Sequence, residues 1–369
     1  MSGPQFRAMN ANLPELRRRA MRRFLALVVL LSVGLFFAWM VCRPSHPAQA
    51  LSRKEPGSVV TRTGAELPQS AQALPTAAKA NRATTGRLSS QRILKYGSAQ
   101  GEIGMIHETG QPLVGPEAFA VGKDGSILVA DVVNKRVLVY SSDGTYLRSI
   151  DLPGIALGDV AADAQGRLYV YDQVRHALHQ YDAQGTPQSA LDLKPADIDT
   201  RGYFHVAGSS VYFADAAARD VLVATVQDGV LVAPDKSTER TSDGVHGDSG
   251  RIYSMSVDKG QALRLQVRDP AAQSIARSME FPLPGIVSAR YAGEDQAKRF
   301  YVQTERLAGT SIVLEVLAFS PSGEQLAATR MPENDYAIWT SKLVDVGADG
   351  TIVQFLPEQD QAKLNLFAN

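Results

Sequence analysis

The 369-residue chain has one cysteine, Cys42, so it can form no internal disulfide, and any exported part must be held by its core alone. Its six histidines are scattered and form no Cys/His cluster of the kind that holds a transition metal. No P-loop, G-x-G-x-x-G or G-x-S-x-G string occurs, which removes the common phosphate-cradling loops and the hydrolase nucleophile elbow. An excess of positive charge is missing too. The 38 basic and 38 acidic residues cancel, but unevenly along the chain. Residues 1–92 hold 14 Lys and Arg against Glu15, Glu55 and Glu66, leaving 24 bases and 35 acids for 93–369, a net charge of −11. A domain of that sign argues against nucleic acid as a partner, because phosphate backbones demand clustered positive charge.

What is present is a recurring phrase: a turn, a hydrophobic strand, then an acid. It reads DGSILVAD to Asp131, QGRLYVYD to Asp172 and GSSVYFAD to Asp215, with steps of 41 and 43 residues. A repeat of about that length is one supersecondary unit copied side by side. A second strand follows each acid: RVLVY (136–140), ALHQY (177–181) and VLVAT (221–225). Then come hairpin turns at Asp143-Gly144, Gln184-Gly185 and Asp228-Gly229. With AFAV (118–121) as an inner strand and TYLRSIDL as an outer one, the unit has about four short strands, the content of a propeller blade. Weaker copies, without the terminal Asp, continue in RIYSMSV/ALRLQV, RFYVQTE/VLEVLAF and TIVQFL/KLNLF, giving six in all. The last copy lacks a fourth strand, and RILKYGS (92–98) upstream lacks a sheet. Pairing the two closes the ring and removes both open edges. The expected fold class is therefore all-β, a six-bladed β-propeller over residues 92–369.

The stretch Asp124 to Gly144, with its Ala130-Asp131 strand end, Asn134, Arg136, Tyr140 and closing Asp143-Gly144, resembles the NHL-repeat family of six-bladed propellers. The second copy has Arg175-His176 where Asn and Arg would lie, and the third has Arg219-Asp220, so the close match covers about three blades. The resemblance implies a propeller used mostly as a binding platform, and does not imply a reaction.

At the other end, Arg17, Arg18, Arg19, Arg22 and Arg23 precede an uncharged apolar run, 24–42. As a helix it would span about 28 Å, close to the roughly 30 Å of bilayer hydrocarbon. The flanking arginines put 1–23 in the cytoplasm as a basic tail and everything after the span outside it. The expectation is a single-pass anchor in a bacterial-type inner membrane, with a periplasmic or otherwise extracytoplasmic propeller. The rival is a leader cleaved after Ala48-Gln49-Ala50. Val41 before Cys42 does not fit a lipobox. Residues 43–91, rich in Pro, Ala, Ser, Thr, Gln and Gly, read as a disordered tether with an end-to-end distance of about 40 Å.

Several short strings suggest chemistry and are better read as structure. Gly247-Asp248-Ser249-Gly250 is similar to a serine-protease nucleophile loop, but no matching His segment exists, and a turn suffices. Asp197-Ile198-Asp199 opens like a calcium loop, yet Arg201 occupies its fifth position and no Glu closes it. His176 and His179, three apart in an expected strand, point to opposite faces and cannot share a metal. Gly115-Pro116-Glu117 ahead of the first inner strand resembles gluconolactonase-like propellers, where an acid helps to hold a divalent metal in the channel. Glu117, Asp159 and Asp345 would serve in that alternative, a metal-dependent hydrolase or lyase, but the Asn ligands it needs are not evident.

The leading expectation is a binding platform for an envelope protein or glycan, with no catalytic residue, no cofactor and no metal. In a propeller the turns between second and third strands share a face with the connections between blades. That face would carry Arg136, Arg175 and Arg219, and the polar connectors 98–115, 234–250 and 332–341. The last holds Tyr336 and Trp339, residue types that concentrate at binding hot spots. Glu117 and Asp159 complete the candidate set near the channel.

Overall fold

The computed structural model describes residues 84–368, apart from 109, 195–197, 199–201, 236–240, 270–274 and 333–335. The chain divides into two units, Met1–Gln72 and Ala73–Asn369, and all described residues belong to the second. The expected cytoplasmic tail and membrane span, and nearly all of the expected tether, lie outside the described residues. Among those described, no helix is long and apolar enough to cross a membrane.

The fold is a six-bladed β-propeller. Two strands open the described chain, β1 (Thr84–Thr85) and β2 (Arg87–Lys95). Blade one is β3 (Phe119–Val121), β4 (Ile127–Asp131), β5 (Arg136–Tyr140) and β6 (Tyr146–Asp151). Blade two is β7 (Leu157–Ala162), β8 (Leu168–Asp172), β9 (Ala177–Tyr181) and β10 (Pro187–Asp192). Blade three is β11 (Tyr203–Ala207), β12 (Ser210–Ala214), β13 (Asp220–Gln227) and β14 (Val230–Val232), with β15 (Thr241–Ser242) also paired to β13. Blade four is β16 (Val245–His246), β17 (Ile252–Asp258), β18 (Ala262–Arg268) and β19 (Ile275–Pro282). Blade five is β20 (Ile286–Glu294), β21 (Phe300–Ala308), β22 (Ser311–Phe319) and β23 (Gln325–Arg330), with β1 parallel on its outer edge. Blade six is β24 (Val344–Val346), β25 (Ile352–Pro357) and β26 (Gln361–Ala368), completed by β2.

Closure therefore comes from the N-terminal strand, antiparallel to β26 from Arg87↔Ala368 to Lys95↔Gln361. Pairing begins at Arg87, ahead of the expected boundary at residue 92. A further departure concerns the polar run 234–250. It is not one connector, because β16 inside it is the inner strand of blade four and 247–250 lies in that blade's first hairpin.

Two features of the copied unit explain why it folds this way. The alternating apolar residues of each blade pack against those of the next, as Phe119, Ile127 and Leu138 do against Phe355 and Leu364. The hairpins are fixed by an Asp that caps its own turn. Asp143 accepts from Ser141 and Thr145, while Gly144 adopts φ 80°, a conformation that an L side chain resists. A Cβ at Gly144 would also sit 2.6 Å from Arg92 of the closing strand.

Five of the six junctions between blades are filled by sizeable apolar clusters. Between blades three and four the buried apolar set shrinks to Tyr203, Ala214 and Val245. A polar clamp works beside it. Asp220, fully buried at the start of β13, accepts from His205 Nε2 at 2.8 Å, and from His246 at its backbone N (2.6 Å) and ring Nδ1 (2.9 Å). Tyr212 lies flat against the His246 ring, centroids 4.3 Å apart, and stacks more loosely on His205.

Candidate functional site

The repeated acids hold turns. Asp131 is fully buried and accepts from the backbone N–H of Gly104 and Asn134, from Asn134 Nδ2 and from Arg136 Nε. Asp172 accepts from the amides of Val174 and Arg175 and from Arg175 Nη1. Asp215 does the same with Ala217, Arg219 and the Arg219 guanidinium. The Asn and Arg of the first copy are thus tied to its acid, and Arg175 and Arg219 stand in at shifted spacings in the next two.

That arrangement places the three expected arginines. Arg136 is only 11% exposed, and its guanidinium also donates to Ala99 O and Glu102 O, pinning the connector between β2 and β3. Arg175 and Arg219 remain 60% and 53% exposed while paired to their acids. Both lie in turns between second and third strands, the side of the ring that also carries the connectors. Trp339 projects there, 54% exposed, and Val174 stands out at 74%. Ile106, Leu307 and Ile312 are further exposed apolar side chains on the same side. Tyr336 is half-buried and receives Gln354 Nε2 at 3.4 Å, and burial raises its hydroxyl pKa.

Glu117 and Asp159 come together through Ser341, at the mouth of the channel. The Ser341 amide donates to Glu117 O at 2.8 Å, and its hydroxyl reaches Asp159 Oδ1 at 3.5 Å. Glu117 is half-buried, and that burial raises its carboxyl pKa. Asp159 is buried and spans two blades, accepting from Val160 N at 2.9 Å and Phe204 N at 2.6 Å. Burial pushes its pKa up to about 6, even though Lys342 and these donors pull the other way. Asp345 mirrors it at the closing junction, accepting from Val346 N, Val121 N and Lys342 Nζ. The Asp159 and Asp345 carboxylates are therefore engaged in joining inner strands. Among the described residues, no group of three or more His, Cys, Asp and Glu side chains is placed to hold a metal ion.

Residues from all six inner strands line a partly open cavity of about 70 Å³. Its walls carry Lys123, Arg290 and Lys342, the imidazoles of His205 and His246, and Asp248 and Asp345.

No protein-family model matches the chain, and no curated protein matches it. Solved structures resemble it in fold. One is a member of the DUF4221 family from Bacteroides vulgatus, 11% identical, covering 77% of this chain and 97% of that one with a TM-score of 0.39. Another is virginiamycin B lyase from Staphylococcus aureus, 12% identical, covering 71% and 98% at 0.35. The WD40 repeats of RRP9 are 11% identical, covering 75% and 100% at 0.41. At such identities and scores none of them bears on function.

The remaining strings resolve as structure. Gly247 to Gly250 is the first hairpin of blade four, where Gly250 N donates to Gly247 O, Asp248 pairs with Lys123 and the Ser249 amide donates to Glu294. His176 accepts or donates at Tyr171 OH (2.9 Å), and the His179 pKa is lowered by burial. Most of the calcium-like string falls on undescribed residues. One further motif recurs at a fixed spacing in the sequence. In Asp163-Arg167-Tyr169 and Asp295-Arg299-Tyr301, of blades two and five, each acid binds the Arg Nε and the Tyr hydroxyl of its own hairpin. The His205–Asp220–His246 clamp carried no such signal, since its members sit in different elements of two blades.

Proposed function

We propose that this chain is an N-terminally anchored, extracytoplasmic NHL-like propeller of a bacterial-type envelope, serving as a binding platform for a protein or glycan partner. The observation that carries the reading is the set of exposed side chains around the connector side: Trp339 ahead of blade six, Ile312 of blade five and Val174 of blade two, with Arg175 and Arg219 on the same side of the ring. Trp and Arg are the residue types that dominate binding energy at interfaces, and loops on a rigid scaffold are where binding residues concentrate. The arginine-flanked apolar run 24–42 and the Pro/Ala/Ser-rich stretch after it support display away from a membrane surface. The metal-dependent hydrolase reading loses ground, because Asp159 and Asp345 are occupied by backbone amides of neighbouring inner strands.

The test is recovery of partners from envelope extract by the full-length chain, beside a variant carrying Arg175→Glu and Arg219→Glu. Partner recovery is expected to fall at least tenfold in the variant, and equal recovery would discard this placement of the surface. N-terminal sequencing of the protein from the envelope tests the anchor, since a mature form beginning at Leu51 would lack the membrane span.

A further inference from the structure

We propose that the central cavity is a binding site for a small organic carboxylate, received by Arg290 and Gln303. The cavity holds three permanent cations, and two of them are matched. Lys342 Nζ lies 2.9 Å from Asp345 Oδ2, and Lys123 is paired with Asp248. The imidazoles of His205 and His246 are both engaged by Asp220. Arg290 differs: it is half-buried, lines the cavity, and has no side-chain hydrogen bond or ion pair among the described residues. A half-buried guanidinium with no protein partner leaves its planar N–H fork open to an incoming anion.

Gln303 adds a second polar group that faces the cavity. It stands opposite Arg290 in the β20–β21 ladder, so the two side chains leave the same face of the sheet. It is 6% exposed, lines the same cavity, and its amide has no partner among the described residues. Its amide is not among the fully buried polar atoms that lack a partner, so it opens onto the cavity, where it can meet a guest.

The ligand class follows from charge and shape. One unmatched guanidinium supplies a single positive charge in a planar fork, which fits a carboxylate through two parallel hydrogen bonds. A phosphate dianion would need a second cation, and both lysines are already paired. The Gln303 amide can donate to the carboxylate or accept from a neighbouring hydroxyl. The cavity of about 70 Å³ has room for a small guest. A short hydroxy acid meets all of these conditions.

The test is isothermal titration of the detergent-purified full-length chain with sodium glycolate, beside sodium phosphate and sodium chloride at equal ionic strength. Glycolate is expected to bind saturably at one site per chain and more tightly than phosphate. Arg290→Met should weaken it at least tenfold, with Arg290→Lys between the two. Gln303→Glu supplies an internal carboxylate to Arg290, and it should abolish glycolate binding while raising the urea midpoint. That variant decides the matter if Arg290→Met fails to fold. No glycolate heat above chloride, tighter binding of phosphate, or unchanged binding in Gln303→Glu would overturn the proposal.

Discussion

The junction that closes the ring and the junction between blades three and four solve the same problem with different chemistry. At closure, Phe119, Ile127, Leu138, Phe355 and Leu364 exclude water over a broad contact, with the Phe119 and Phe355 rings 5.6 Å apart. Between blades three and four only Tyr203, Ala214 and Val245 are buried as apolar groups, and one carboxylate holds two imidazoles and an amide. The closing junction rests mainly on apolar contact, with Asp345 reaching across it to Val121 N, whereas the other is organised around the Asp220 carboxylate. A propeller built of similar blades therefore need not be uniform around its ring, and its weak point lies where side chains were exchanged for charge.

Substitutions should separate the two. Phe355→Ala removes a fully buried ring and is expected to cost about 3–5 kcal/mol in urea unfolding, equally at pH 5 and pH 8. Asp220→Ala leaves two imidazoles and the His246 amide without their acceptor, and a loss of about 3 kcal/mol is expected. Burial opposes ionisation of Asp220, but the charge and hydrogen bonds of His205 and His246 outweigh it and hold its pKa below the ordinary carboxylate value. Its contribution is thus complete above the unfolded-state pKa, and is lost as pH falls through the lower folded value. Acid unfolding should accordingly expose blade-three and blade-four amides first, by hydrogen exchange at low pH. If the closing junction opened first instead, the comparison would be reversed.

Asp159 should show the opposite sign. Its folded pKa of about 6 exceeds the unfolded value, so it subtracts stability progressively as pH rises from about 4 to about 6. Asp159→Asn is expected to flatten that decline, by up to about 3 kcal/mol in the pH dependence of the urea midpoint. A parallel decline in the variant would assign it to another group. The smallest effect is expected at Asp215, whose partner Arg219 is largely in solvent. Removing that ion pair by Arg219→Ala should cost less than about 1 kcal/mol.

Much of the architecture was legible because it rests on local spacing. The strands after Asp131, Asp172 and Asp215, and the orphan strand that closes the ring, can be read from period and turn residues. The capping role of those acids follows from where a strand ends and a turn begins. Other features are not local. The clamp joins residues 205, 220 and 246, and the facing pair Arg290 and Gln303 comes from neighbouring strands whose register no string of residues announces. Arg136 shows the converse limit. Its place on the connector side was readable, but its use in pinning the Ala99 and Glu102 carbonyls was not.

The proposed recognition surface is the connector side of the ring. The most direct measurement compares partner recovery by full-length chains carrying Trp339→Ala or Leu147→Ser. These apolar residues are almost equally exposed, at 54% and 56%, but Leu147 lies on the outer strand of blade one. Recovery is expected to drop at least tenfold for Trp339→Ala and to stay at the wild-type level for Leu147→Ser. Equal recovery in both, or a loss confined to Leu147→Ser, would contradict the claim.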